Sequence, residues 1–221
     1  MTFPAVSTIG NSVTDPASTT HTIALNGSAS AGDLLLGWLQ ASAAHGGGSP
    51  PSGWTELIDT AARYFLDKVF AAGGETDAAV TLTNSVQSTH NSYRITGAQG
   101  AVESTFAAAL DPGNLTPSWG ANDTLWLAFI TLVTTGAGDI TAAPSGYSGL
   151  TKTAEIDIGG GLRQRGATAW KQANAASENP GTFTVSGTSP NGVSLTVGIR
   201  PAVDAAQAAT KMYNYRRRRT G

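Results

Sequence analysis

The chain contains no cysteine, three histidines and little charge, with 13% of its 221 residues being Asp, Glu, Lys or Arg. Without cysteine there is no disulfide, no thiolate metal site and no thiol nucleophile. His21, His45 and His90 stand in unrelated sequence contexts, so material for acid–base chemistry is thin. Long hydrophobic runs are missing too. The longest nearly unbroken one, Leu125 to Val133, is about half of what a membrane-spanning helix requires. No basic segment followed by an apolar stretch opens the sequence, so no signal peptide and no membrane partner are expected. Disorder of the whole chain is excluded, because 40% of the residues are hydrophobic and the net charge is only −2.

What fills the chain is small and β-prone. Ala, Gly, Ser and Thr make up half of it. Short segments rich in Thr, Val, Ile, Leu and aromatics are broken by Gly, Pro, Asn or Ser every 8 to 15 residues, as in an all-β domain. Thr81-Leu82-Thr83 and Thr182-Phe183-Thr184-Val185 alternate polar and apolar residues in the manner of half-buried strands. Leu34 to Leu39 and Leu125 to Ile130 are apolar on both faces and are expected at the centres of packed sheets. Ala202 to Met212 has helical propensity but little apolar face, and reads equally well as an extended arm.

The sequence repeats itself. AGDLLLGWL (31–39) matches ANDTLWLAF (121–129), and PPSGWTEL (50–57) matches APSGYSGL (143–150). Residues 61–83 match 163–186, SYRITGA (92–98) matches SLTVGIRPA (194–202), and PAVSTIGN (4–11) is echoed by GAVESTFA (100–107). The matches keep their order while the offset drifts from about 90 to 103, as unequal loops would cause. Two tandem small sandwiches would satisfy this pattern. The absence of a Pro/Ser-rich linker favours one jelly-roll-like antiparallel β-sandwich over residues 1–201, with pseudo-repeats of about 1–97 and 98–201 and an arm at 202–221.

Several residues invite a chemical reading. Asp33 and Asp123 precede the two apolar strands and could be metal ligands or catalytic carboxylates, but turn residues accepting backbone N–H bonds explain both. Trp54 and Tyr147 follow the matched Pro-Ser-Gly turns. They could stack on a sugar ring, or simply close the turn against the sheet. The glycine runs at 46–48 and 159–161 lack the strand-then-helix setting of a phosphate loop. Arg163 and Arg165, beside the second run, could grip the carboxylates of a partner. No nucleophile elbow, zinc-protease or EF-hand pattern occurs, and the expectation is a non-enzyme with no cofactor and no metal.

Charge is the sharpest asymmetry. Residues 1–210 carry 8 Lys/Arg against 15 Asp/Glu, whereas 211–221 carry five basic residues and no acidic one. Tyr213, Tyr215, Arg216, Arg217, Arg218 and Arg219 thus form an aromatic–basic end on an acidic body. It suits an acidic groove on a protein partner, through bidentate Arg–carboxylate pairs. Nucleic acid is conceivable through this arm alone.

AGDLLLGWL, then SPPSGWTEL, then the strand leading to Lys68-Val69-Phe70-Ala71 and Gly74-Glu75, resemble the β-sandwich structural proteins of tailed bacteriophages over roughly residues 1–201. The resemblance implies a virion protein made in the bacterial host cytoplasm. Its partners would be the major capsid protein or other virion proteins, met as a homo-oligomer or in many copies on a lattice. Within that group it implies a head-decoration or cement protein, with a tail or tip protein that recognises carbohydrate as the alternative. The basic end is not part of the resemblance.

Overall fold

The computed structural model describes residues 2–60, 63–68 and 71–202. They contain no helix and form β1 (Ala5–Ala24), β2 (Leu34–Ala41), β3 (Gly48–Ser49), β4 (Thr55–Thr60), β5 (Arg63–Lys68), β6 (Asp77–Thr96), β7 (Ala98–Ala107), β8 (Asn122–Thr135), β9 (Ile140–Ala142), β10 (Ser148–Lys152), β11 (Ile156–Gly159), β12 (Leu162–Ala175), β13 (Thr184–Val185) and β14 (Thr188–Pro201). The all-β sandwich expected from the sequence is what these strands build. One sheet runs β1-β6-β2-β5-β4 with β3 on β6, the other β10-β12-β8-β14-β7 with β11 on β12, and β9 pairs β13 separately. Every pairing between these strands is antiparallel.

The two halves are not interleaved, as a jelly roll would have them. All strands up to Thr96 enter the first sheet and none enters the second. Local antiparallel pairing through short connections explains this, since neighbours in sequence reach each other before distant strands do. The chain passes from one sheet to the other at Gly97, whose φ of 71° belongs to the left-handed region that glycine tolerates.

Read in parallel, the two strand orders coincide: β1, β6, β2, β5 and β4 stand where β7, β14, β8, β12 and β10 stand. The registers refine the sequence matches. Leu36 pairs with Tyr93 and Leu34 with Ile95, while Phe129 pairs with Leu195 and Leu127 with Val197. With SYRITGA laid on SLTVGIRPA, Leu34 and Leu36 therefore occupy the places of Leu127 and Phe129. The match of AGDLLLGWL with ANDTLWLAF places them three residues earlier, on the wrong face, because an odd shift in a strand exchanges its faces. Asp33 and Asp123 are accordingly not equivalent. Asp33 lies before β2 and accepts the Ser30 N–H at 2.8 Å, whereas Asp123 lies within β8 and accepts from Asn174 Nδ2 at 2.7 Å.

Both central strands are buried on both faces. On β2, Leu34, Leu36 and Trp38 point between the sheets with Tyr93, Ile95, Leu125, Leu127, Phe129, Leu195, Val197 and Ile199. Leu35, Leu39 and Ala41 point outward into a second cluster with Ile23, Leu25, Trp54, Val80 and Leu82. On β8 the outward residues Trp126, Ala128, Ile130 and Leu132 join Leu115, Ile140, Tyr147 and Phe183. The outer cover of the second sheet is therefore the β9–β13 ribbon with the Leu115–Glu178 bridge, while the first sheet is covered by part of its own longest strands.

That cover requires β1 to turn back on itself. Gly10 and Ala24, 14 positions apart, would be separated by roughly 45 Å along a straight strand. Instead Ser92, the partner of Gly10, donates its hydroxyl to the Ala24 carbonyl, and Ser12 Oγ donates to the Thr22 carbonyl at 2.9 Å. The register is irregular between Thr14 and Thr20, where the β1–β6 ribbon folds. Its outer half then lays Ala78, Val80 and Leu82 on the sheet, with Asp77, Ala79 and Thr81 facing solvent. A Cβ at Gly10 would intrude on the Ala24 carbonyl and the Ser92 hydroxyl. Gly10→Ala should therefore lose about 1–3 kcal/mol of unfolding free energy, measured by chemical denaturation. An unchanged midpoint would mean that the two layers do not touch there.

Candidate functional site

The residues singled out by sequence fall into three groups. Tyr213, Tyr215 and Arg216 to Arg219 lie outside the described residues, as does most of Ala202 to Met212. Trp54 and Tyr147 sit in matched turns, each closed by an N–H to the Pro51 or Pro144 carbonyl. Both rings are packed into the outer clusters at 8% exposure. Neither presents a face on which a sugar could stack, because closing the turn against the sheet consumes the aromatic surface. Lys171 Nζ stands 5.8 Å from the centre of the Tyr147 ring.

Arg163 and Arg165 lie on β12, next to the Gly159-Gly160-Gly161 turn. Their carboxylate partners come from the same chain. Arg163 Nη1 is 3.1 Å from Asp157 Oδ2, and Arg165 bridges Asp139 and Glu155, the latter at 3.3 Å. Lys152 Nζ adds a 2.8 Å contact to Asp139. Burial pushes the Asp139 carboxyl up, but hydrogen bonds from Lys152 and Arg165 outweigh it and hold the group below its ordinary range. Three cations and three carboxylates balance, so this patch has no surplus positive charge to offer.

The fold-back of β1 assembles a group that the sequence did not disclose. His21 and His90 are fully buried, with ring centres 5.9 Å apart, and Ser88 Oγ lies 2.6 Å from both His21 Nδ1 and His90 Nε2. His90 Nδ1 is 2.9 Å from Ser12 Oγ, which donates to Thr22 O, and His21 Nε2 is 3.0 Å from Ser18 O. These five hydrogen bonds end on a carbonyl at each side. Two neutral imidazoles and two hydroxyls bring four protons, one too few to fill all five. Burial opposes the missing proton. It lowers His90 to about 3, with the charge of His21 adding to the effect, and lowers His21 as well. His45 is also buried; Gly47 N–H donates to its Nδ1 at 3.1 Å, leaving Nε2 3.3 Å from Asp59 Oδ1.

A second polar region lies between the sheets. The layer is apolar at the end holding Leu34, Ile95, Leu125 and Ile199. Toward its middle, Thr168 Oγ1 meets the buried Tyr93 hydroxyl at 2.8 Å, and burial raises that phenol far above its ordinary range. At the other end stand Gln40, Thr89, Asn91, Thr131 and Gln164, all buried. Gln164 Nε2 donates to the Gln40 carbonyl at 2.9 Å and to Thr89 Oγ1 at 3.3 Å, joining the sheets. The Gln40 Oε1, the Thr131 hydroxyl and the whole Asn91 amide have no partner. Alternation alone could have placed Gln40 and Thr131 on inward faces, but not opposite each other.

Among the described residues no cluster of three His, Asp or Glu could hold a metal ion, and no helix is long and apolar enough to cross a membrane. No protein-family model, curated protein or solved structure matches the chain.

The histidine group sets the pH response. In the unfolded chain each histidine takes a proton below about 6.5, whereas the folded chain resists until about 3 at His90. The unfolded state thus binds more protons, and stability, full above pH 6.5, should fall as pH drops, by up to about 1.4 kcal/mol per unit per histidine. Denaturant midpoints measured from pH 7 to pH 4 check this. His90→Gln should flatten the slope, and an identical slope would remove His90 from the account.

Proposed function

We propose that the chain is a virion structural protein, a decoration or cement protein that braces a bacteriophage head through non-covalent contacts with the major capsid protein. The observation that supports the reading best is a separation of roles along the chain. Among the described residues of the body, Arg94, Lys152, Arg163, Arg165 and Lys171 pair with carboxylates of the same chain. Residues 1–210 carry 8 Lys/Arg against 15 Asp/Glu, whereas residues 211–221 carry five basic residues and no acidic one. In this reading the sandwich is a rigid spacer present in many copies, and the basic end docks into carboxylates of the shell by bidentate pairing. Repeated attachment to the assembled shell stabilises it by mass action. Catalysis has no part in the proposal, nor do a membrane or a cofactor. The edges of β1, β4, β7 and β10, which pair on one side only among the described residues, are where neighbouring copies would meet. A place in the tail uses the same block. The version in which Trp54 and Tyr147 stack on a sugar is not favoured by rings packed at 8% exposure.

Shells lacking this chain, mixed with the full chain and separately with residues 1–210, test the proposal on a density gradient. The full chain should band with the shells at a saturable ratio, and the truncated chain should not. Binding by neither form removes the head reading, and equal binding by both moves the attachment from the basic end to the sandwich.

A further inference from the structure

Four strands border the two sheets, and three of them are blunted. β1 loses its register between Thr14 and Thr20, around Pro16. Side chains also reach its backbone, with Asn26 Nδ2 donating to the Ile9 carbonyl at 3.0 Å and Gln172 Nε2 to the preceding Pro4 carbonyl at 2.7 Å. β4 is six residues long, shifts register between Glu56 and Ile58, and carries Glu56 and Asp59. β10 is five residues long, shifts register between Ser148 and Thr151, and ends on Lys152. Shortness, charge, proline and bulges are the devices that keep a sheet edge from pairing with another chain. Over Val102–Ala107, β7 lacks them. Its ladder with β14 is unbroken there, and no lysine, proline or glycine interrupts it. Its one charged side chain, Glu103, is engaged by the Ser118 N–H at 3.0 Å. Among the described residues no strand pairs with its other side, and none of its own residues is buried.

The backbone of an edge accepts any extended strand, so the side chains decide which one. We infer that the partner is β7 of a second copy of this chain, antiparallel about a two-fold axis at Ser104. Opposed residues in an antiparallel ladder face the same side of the joined sheet, and side chains alternate along each strand. A two-fold axis normal to the sheet must therefore pass at a residue and not between two. An axis at Glu103 sets two carboxylates against each other, which is unfavourable. An axis at Thr105 sets Phe106 against a serine. At Ser104 the strand is self-complementary. Val102 then opposes Phe106 of the second copy, an aromatic with a β-branched residue, and the pair occurs twice by symmetry. Glu103 opposes Thr105 and meets no like charge. Val102 and Phe106 already pack against the apolar cluster between the sheets, so their contact continues that cluster across the axis. Two five-strand paths become one continuous sheet. This narrows the four edges named above to one, and it needs no shell.

The chain has no cysteine, so one introduced thiol reports on its own surroundings. Directly opposed residues in an antiparallel ladder stand about 4.5–5.5 Å apart at Cα, within reach of a disulfide. Under mild oxidation Ser104→Cys should give a disulfide-linked dimer. Ala107→Cys should not, because in this register its two copies are roughly 20 Å apart along the strands. Sedimentation of the unaltered full chain should show a reversible monomer–dimer equilibrium with a Kd of about 100 μM. Ser104→Lys, which brings two ammonium groups together on the axis, should weaken that equilibrium about tenfold with the circular dichroism unchanged. A chain that stays monomeric up to about 1 mM overturns the proposal. So does equal crosslinking of the two cysteine variants, and so does a dimer of undiminished affinity in Ser104→Lys, which puts the contact on another edge. Since no shell is present, failure here leaves the docking of the basic end standing.

Discussion

Two strands with no polar face organise the whole molecule. Over Leu34–Leu39 and Leu125–Ile130, β2 and β8 are apolar on both sides, and neither segment can be left in contact with water. Placing one sheet on the other covers an inner face of each and leaves two outer faces bare. The remaining features answer that need. The first sheet borrows the outer half of its β1–β6 ribbon, while the second takes β9, β13 and the segment carrying Leu115 and Phe183. The Pro-Ser-Gly turns serve the same end, each driving an aromatic ring into an outer cluster. The result is four layers of backbone with three apolar clusters between them; the middle cluster belongs to both halves and each outer cluster to one.

How much of this the sequence discloses depends on how local the deciding interaction is. The central places of LLLGWL and LWLAFI are legible because a strand without polar positions has only one environment open to it. The alternation at Thr81-Leu82-Thr83 is legible for the complementary reason, that one side of the ribbon meets solvent. The register of AGDLLLGWL against its counterpart is not legible. Where both faces are apolar the pattern has no parity, and a three-residue error leaves the sequences looking alike. That Asp77–Thr96 is one strand is not legible either, because nothing local reveals that Ser85 to His90 continue it through a fold. The meeting of His21 with His90 follows from that fold and was hidden with it.

The polar groups of the interior divide by how they are settled. The Asp139 network lies at the rim and neutralises itself, at little gain in stability. The Ser–His chain is enclosed and short of a proton, a condition that dry surroundings enforce and that ties the ribbon to the sheet in a pH-dependent way. The end of the middle layer is different again, since Gln164 bridges the sheets while Gln40, Thr131 and Asn91 keep unmet atoms. A layer sealed at one end by Leu34 and Ile199 and left polar at the other is directional, although the two sheets share one strand order.

Gly97 is the single residue between β6 of the first sheet and β7 of the second. Each side of it carries a complete sheet together with that sheet's own outer cover. Severing the chain there would leave two fragments that are finished on one surface and bare on the other, each supplying the surface the other lacks. The molecule is thus a pair of complementing fragments joined in tandem, and the covalent link serves to fix their ratio and hold their concentration high for each other.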